Sequence, residues 1–187
     1  MSGPDRLPPI PPGVQTPEQA AACERFRAVR GNAVFGPFVP LLRSPELMLR
    51  LQMVGEYCRY RSAIGHRLTE FAILMVARRH DQPVDWAIHA PLAATAGTAA
   101  SVIDDLAADR RPAGMTEDEA LVFDTVRALW DEGGLSDAAW AAAVARFGEA
   151  GLIDLIATVG YYATIAQVMN AARTAPPPGP TLPARRA

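Results

Sequence analysis

The chain has 187 residues, half of them hydrophobic and a fifth charged, which is enough to bury one substantial core. Its net charge of −2 offers no basic footprint for nucleic acid or an anionic membrane surface. All 18 basic residues are arginine, which excludes Schiff-base chemistry and lysine-anchored pyridoxal phosphate.

Residues 1–15 are Pro-rich without apolar periodicity and read as an extended arm. Thr16-Pro17-Glu18-Gln19 joins an N-cap, a proline at N1 and a capping-box glutamine, so a helix is predicted from there to Arg30, stopped by Gly31-Asn32. Asn32 to Arg43 holds Gly36, Pro37 and Pro40 and reads as an irregular apolar connection. Ser44-Pro45-Glu46 caps a second helix through about Tyr60.

The central stretch, Leu68 to Gly97, pairs two helical runs across a short polar break, His80-Asp81-Gln82-Pro83. The first run, Phe71 to Ala77, is almost wholly apolar and carries one carboxylate, Glu70, near its start. A carboxylate on such a helix is expected to be buried, where it needs a partner or must hold its proton. The second run presents Asp85, Trp86 and His89 in its first turns and closes at Gly97. His89 is the natural partner for Glu70.

Farther on, Thr98 is a candidate cap for a short helix over Ala99 to Ala108, and Thr116-Glu117-Asp118-Glu119 is a second capping box. The helix it opens should end at Gly133-Gly134. Ser136 caps another, terminated by Gly148, and Leu152 to Arg173 forms a last, mostly apolar helix with Tyr161 and Tyr162 at its middle. Residues 175–187 are Pro-rich and expected to be disordered. No segment alternates like a strand. The expected architecture is therefore all-α, a compact bundle of about eight helices: an arm at 1–15, a helical domain at 16–174 and a tail at 175–187. No apolar run reaches the roughly 18–20 residues of a membrane span, and the N-terminus lacks a secretory hydrophobic region, so cytoplasmic residence is expected.

A Glu at the head of an apolar helix, an acidic residue then Trp opening the next, and a His three residues after the Trp occur here as Glu70, Asp85, Trp86 and His89, with Pro91, Ala93 and Gly97 following. This pattern resembles the carboxymuconolactone decarboxylase family, which includes alkylhydroperoxidase D-like proteins. The likeness extends through GEYCRYRSAIGHRLTE upstream and GLIDLIATVGYYATIAQVMNA downstream. The peroxidase branch carries a CxxC pair whose second Cys lies four residues before the His. Here those positions are Gln82 and Asp85. Peroxide reduction through a dithiol needs a thiolate and a resolving thiol, and Cys23 and Cys58, far apart in sequence, form no such pair. The resemblance therefore implies the branch lacking cysteines.

In that reading Glu70, His89 and Asp85 are the candidate catalytic residues. Glu70 orients the imidazole, His89 moves a proton at a substrate carbon, and Asp85, at i−4 from His89, faces it or the substrate. The other reading of the pair is an ion pair joining two helices, and of Asp85 a charge suited to a first helical turn. Trp86, Tyr57, Arg59 and Arg61 are the candidate substrate-pocket residues. Trp86 either walls the pocket or fills the core; the arginines either receive a carboxylate through guanidinium forks or solvate a helix end. His66, beside Gly65, is expected in a surface loop. Neither a cofactor nor a metal is expected, since the Pro83 break separates His80 and Asp81 from Asp85 and His89.

The implied function is a cofactor-independent lyase acting on a small carboxylated lactone or related carbonyl acid. The alternative is a non-catalytic helical scaffold or small-molecule binder; an antioxidant peroxidase is disfavoured by the missing thiols. Helices apolar nearly all round must be covered on every side. With the resemblance, this leads to the expectation of a homo-oligomer, a trimer or hexamer, and of no nucleic-acid or membrane partner.

Overall fold

A computed structural model describes residues 3–184, and among them the regular structure is entirely helical. After a 3-10 turn at Pro12–Val14, the helices are α1 (Pro17–Arg30), α2 (Phe38–Leu41), α3 (Pro45–Tyr60), α4 (His66–Arg79), α5 (Pro83–Thr95), α6 (Ala100–Ala107), α7 (Glu117–Asp131) and α8 (Asp137–Ala172).

Helix α4 is the axis of the molecule. Every residue from Leu68 to Arg78 is buried, because α3, α5, α6, α7 and α8 all pack against it. A helix apolar all round tolerates only that position. Its last turn carries Arg78 and Arg79, favourably placed at the negative end of the helix dipole. Around it the outer helices are amphipathic. Helix α1, for example, buries only Ala22 and Phe26, four residues apart on one face.

The capping signals at Thr16 and Thr116 are realised as full capping boxes, Gln19 and Glu119 reaching back to the cap residues. Two others differ. Ser44 sits at the N-cap of α3 without a side-chain bond. Ala99 rather than Thr98 is the N-cap of α6, and the Thr98 hydroxyl is buried without a hydrogen-bond partner. The connection over residues 32–43 contains one short helix, α2, whose Phe38 meets Phe26 with ring centroids 4.9 Å apart.

Gly148 does not end a helix outright. At φ 71°, ψ 168° it bends α8 into an exposed first part and a buried second part, a backbone conformation open essentially to glycine alone. By length and composition α8 could cross a membrane, with a mean hydropathy of 1.4 over its best 18-residue window. However, its residues Leu152, Leu155, Ile165, Ala166 and Met169 are buried in the bundle.

Residues 174–184 hold no regular structure, but Leu182 packs against the core. The buried Arg78 guanidinium donates to the Pro183 carbonyl at 2.7 Å and to that of Ala107 at 2.9 Å. Arg185 to Ala187 lie outside the described residues, as do Met1 and Ser2. The N-terminal arm is fastened too: the Arg6 amide donates to the Ala172 carbonyl at 2.7 Å, and Arg43 donates to the Leu7 carbonyl at 3.1 Å.

Candidate active site

The α4–α5 turn aligns the two halves of the site. Gln82 caps α5 by accepting from the Val84 amide at 2.7 Å, and its amide nitrogen donates to Asn170 Oδ1 of α8 at 2.9 Å. Asn170 in turn donates to the His80 carbonyl at 2.8 Å. Gln82 is therefore at once the cap of α5 and its tether to α8. With the turn fixed, α4 and α5 lie side by side, and Glu70 meets His89.

The His89 Nδ1 to Glu70 Oε2 separation is 2.6 Å, and the two residues are 4% and 0% exposed. Glu70 Oε1 accepts no hydrogen bond but has two basic neighbours, Arg59 Nε at 3.5 Å and His66 Nδ1 at 3.8 Å. Burial pushes the Glu70 carboxyl up, yet the bond from His89 and the charges around it prevail, holding it below the usual carboxylate range. Burial pushes His89 down, against the opposing pull of Glu70. The two directions agree on one state at neutral pH: an ionised Glu70 accepting the Nδ1 proton of a neutral imidazole. Its Nε2 then carries the lone pair.

Asp85 is the inverse case. Buried at 2% exposure, it forms no ion pair among the described residues, and its Oδ2 makes no hydrogen bond. Burial alone pushes its carboxyl from 3.8 to about 8. It therefore holds its proton at neutral pH beside an imidazole that has released one.

Asp85 and His89 both line a small cavity, with about 40 Å³ of room for water-sized spheres. Arg59, Gly55 and Arg30 line it as well, and the aromatic walls are Tyr161, Tyr162, Phe35 and Phe38. The Tyr162 ring stands edge-on to the His89 ring at 5.2 Å and to that of Tyr161 at 5.1 Å. Burial raises both phenols, so they remain donors. Gly55 is required by close approach: a Cβ there would overlap the Tyr161 hydroxyl. Larger recesses lie elsewhere, about 360 Å³ between the arm and α1, but that space includes no buried carboxylate–imidazole pair.

Of the candidates read from the sequence, Glu70, His89, Asp85 and Arg59 converge. Three do not. Trp86, 2% exposed, belongs to the hydrophobic core and does not line the cavity. Tyr57 is 42% exposed and its hydroxyl donates to Asp154 Oδ2 at 3.4 Å. Arg61 pairs with Glu56 at 2.8 Å and lies over the Tyr57 ring. For Tyr57 the reason is helical phase, since residues two apart on α3 lie about 200° apart around the axis and Arg59 faces inward; Arg61 lies past the helix end, at its C-cap. His66 is exposed, as expected, but lies in a helix and not in a loop. It opens α4 and, four residues before Glu70, shares its face. Sequence reasoning missed Arg30 and the aromatic walls. The adjacent tyrosines on so apolar a helix were the available signal, whereas nothing local marked Arg30.

No protein-family model matches the chain, and no curated protein matches it. Among solved structures it is similar to an uncharacterized peroxidase-related protein from Silicibacter sp. TM1040, with a TM-score of 0.73 at 12% identity, covering 92% of this chain and 90% of that one. The chain thus has an all-α, alkylhydroperoxidase D-like fold.

Proposed function

We propose that the protein is a cofactor-independent, carboxymuconolactone decarboxylase-like lyase that moves protons at a carbon of a small carboxylated lactone or related carbonyl acid. The observation that carries this reading is the 2.6 Å Glu70–His89 bond beside Asp85, whose Oδ2 has no partner. Glu70 fixes the tautomer of His89 and stabilises the imidazolium that forms when Nε2 takes a proton. Asp85, neutral because it is buried, is the donor. Loss of carbon dioxide from a carboxylate leaves a carbanion, which takes one proton at carbon. Asp85 supplies that proton and is recharged through His89, whose Nε2 takes a proton from water and passes it on, so each turnover consumes one solvent proton. Two groups poised in opposite protonation states in one cavity are what acid–base work requires.

A dithiol peroxidase reading is not favoured. Cys58 is 1% exposed, and burial pushes its thiol up, as it does that of Cys23. A thiol held protonated is a poor nucleophile. The scaffold alternative predicts no turnover at all.

The test is a panel of small lactone and carbonyl acids incubated in D₂O and followed by NMR for loss of carbon dioxide or deuterium entry at carbon. Turnover abolished by His89→Asn and by Asp85→Asn supports the reading. A panel that stays inert, or turnover unaffected by both changes, rejects it. Peroxide reduction surviving a Cys23→Ala, Cys58→Ala double change would show redox chemistry of another kind.

A further inference from the structure

We propose that the cavity is a monoanion site whose charge anchor is Arg30, and that its ligand is a small carboxylate. This deepens the function proposed above, since it names the residue that would hold the carboxyl group.

Arg30 is the last residue of α1 and lies far in sequence from the α4–α5 pair. Its side chain is half-buried, its Nε is buried without a hydrogen-bond partner, and it lines the cavity with its guanidinium over the Phe38 ring at 5.8 Å. Among the described residues no carboxylate forms an ion pair with it; the other arginine of the cavity, Arg59, has Glu70 at 3.5 Å. Leaving a guanidinium partly desolvated and unpaired is unfavourable.

The charges around the cavity make the same point. Glu70 and Arg59 offset each other, His89 is neutral, and Asp85 holds its proton. One positive charge, that of Arg30, is left over. A monoanion restores neutrality, whereas a neutral ligand leaves the excess and a dianion reverses it.

The second observation is Asp85 itself. Its Oδ2, in a residue 2% exposed, faces no partner and lines the same cavity. A ligand carboxylate satisfies both orphans at once, accepting from the Arg30 fork and from the Asp85 hydroxyl. The small volume, about 40 Å³ for water-sized spheres, favours such a compact group over a phosphate ester.

The test uses full-length protein labelled with ¹⁵N-arginine and titrated with sodium acetate at constant ionic strength. Acetamide, the neutral isostere, is the control. The Nε–H signal that disappears in Arg30→Gln should shift saturably with acetate and not with acetamide. Followed on the Tyr161 and Tyr162 ring signals, acetate should bind Arg30→Gln at least about tenfold more weakly, with Arg30→Lys in between. Affinity should fall as pH passes 8 in the wild type and lose that step in Asp85→Asn. Equal binding of acetate and acetamide, the absence of a saturable shift in the wild type, or undiminished acetate binding by Arg30→Gln would each overturn the proposal. The wild-type titration decides even if Arg30→Gln does not fold. The low-field Nδ1 proton of His89 separates the two readings: if it is missing while acetate binds at Arg30, the acid–base function falls and the anion site stands.

Discussion

Replacing Asp85 by Asn should stabilise the protein, and by an amount that depends on pH. The carboxyl has an ordinary value of 3.8 and is pushed up to about 8 by burial. The folded state therefore binds this proton more tightly than the unfolded chain does. The sign follows from linkage: between those two values the unfolded chain releases the proton first, so stability falls as pH rises from about 4 to about 8 and is level above. At about 1.4 kcal/mol per pH unit, the cost reaches roughly 1.5 kcal/mol at pH 5, roughly 4 kcal/mol at pH 7 and 5–6 kcal/mol above pH 8. That is a large share of the ~5–15 kcal/mol typical of a domain. Asparagine has the same shape and no proton to lose. Urea unfolding of wild type and Asp85→Asn at pH 5, 6, 7 and 8 measures the gap, which should widen by roughly 3–4 kcal/mol across the series and then stop. A gap independent of pH would mean that Asp85 is ionised in the fold, and the proposed donor would be lost with it. If turnover disappears from the stabilised variant, Asp85 is a residue retained for function against stability.

Glu70→Gln removes the carboxylate from a site where it is 0% exposed and leaves Arg59 without its neighbour. A loss of about 3–5 kcal/mol is expected in urea unfolding, together with disappearance of the low-field Nδ1 proton of His89 by NMR. Gly55→Ala drives a methyl group into the Tyr161 hydroxyl. It should cost about 1–3 kcal/mol by overpacking and displace the Tyr161 and Tyr162 ring signals, while Gly160→Ala, with open space around it, should leave them in place. A homo-oligomer is expected from α3, which exposes Leu47, Met53, Val54, Tyr57 and Tyr60. Light scattering should give a mass several times 20.0 kDa, reduced by Met53→Glu, and a monodisperse species at the chain mass refutes the assembly.

What the sequence determined by itself was local or periodic. The capping boxes at Thr16 and Thr116 depend on side chains three residues apart, and the strand-free pattern on apolar spacing, so both could be read directly. Glu70 and His89 could be paired because a single tight turn joins their helices, which leaves little freedom in how they meet. Tertiary structure decided the rest. Whether Arg59 or Tyr57 faces the cavity depends on the rotation of α3 against α4, and that rotation is set by packing, not by the composition of the helix end. Arg30 joins residues from α3, α5 and α8 because α1 packs on α3, a juxtaposition with no trace in local spacing. The same holds for Asp85. Its residue type and position in a first turn suggest an ionised side chain, and only enclosure by the aromatic walls keeps it protonated, since desolvation is a property of what surrounds a group.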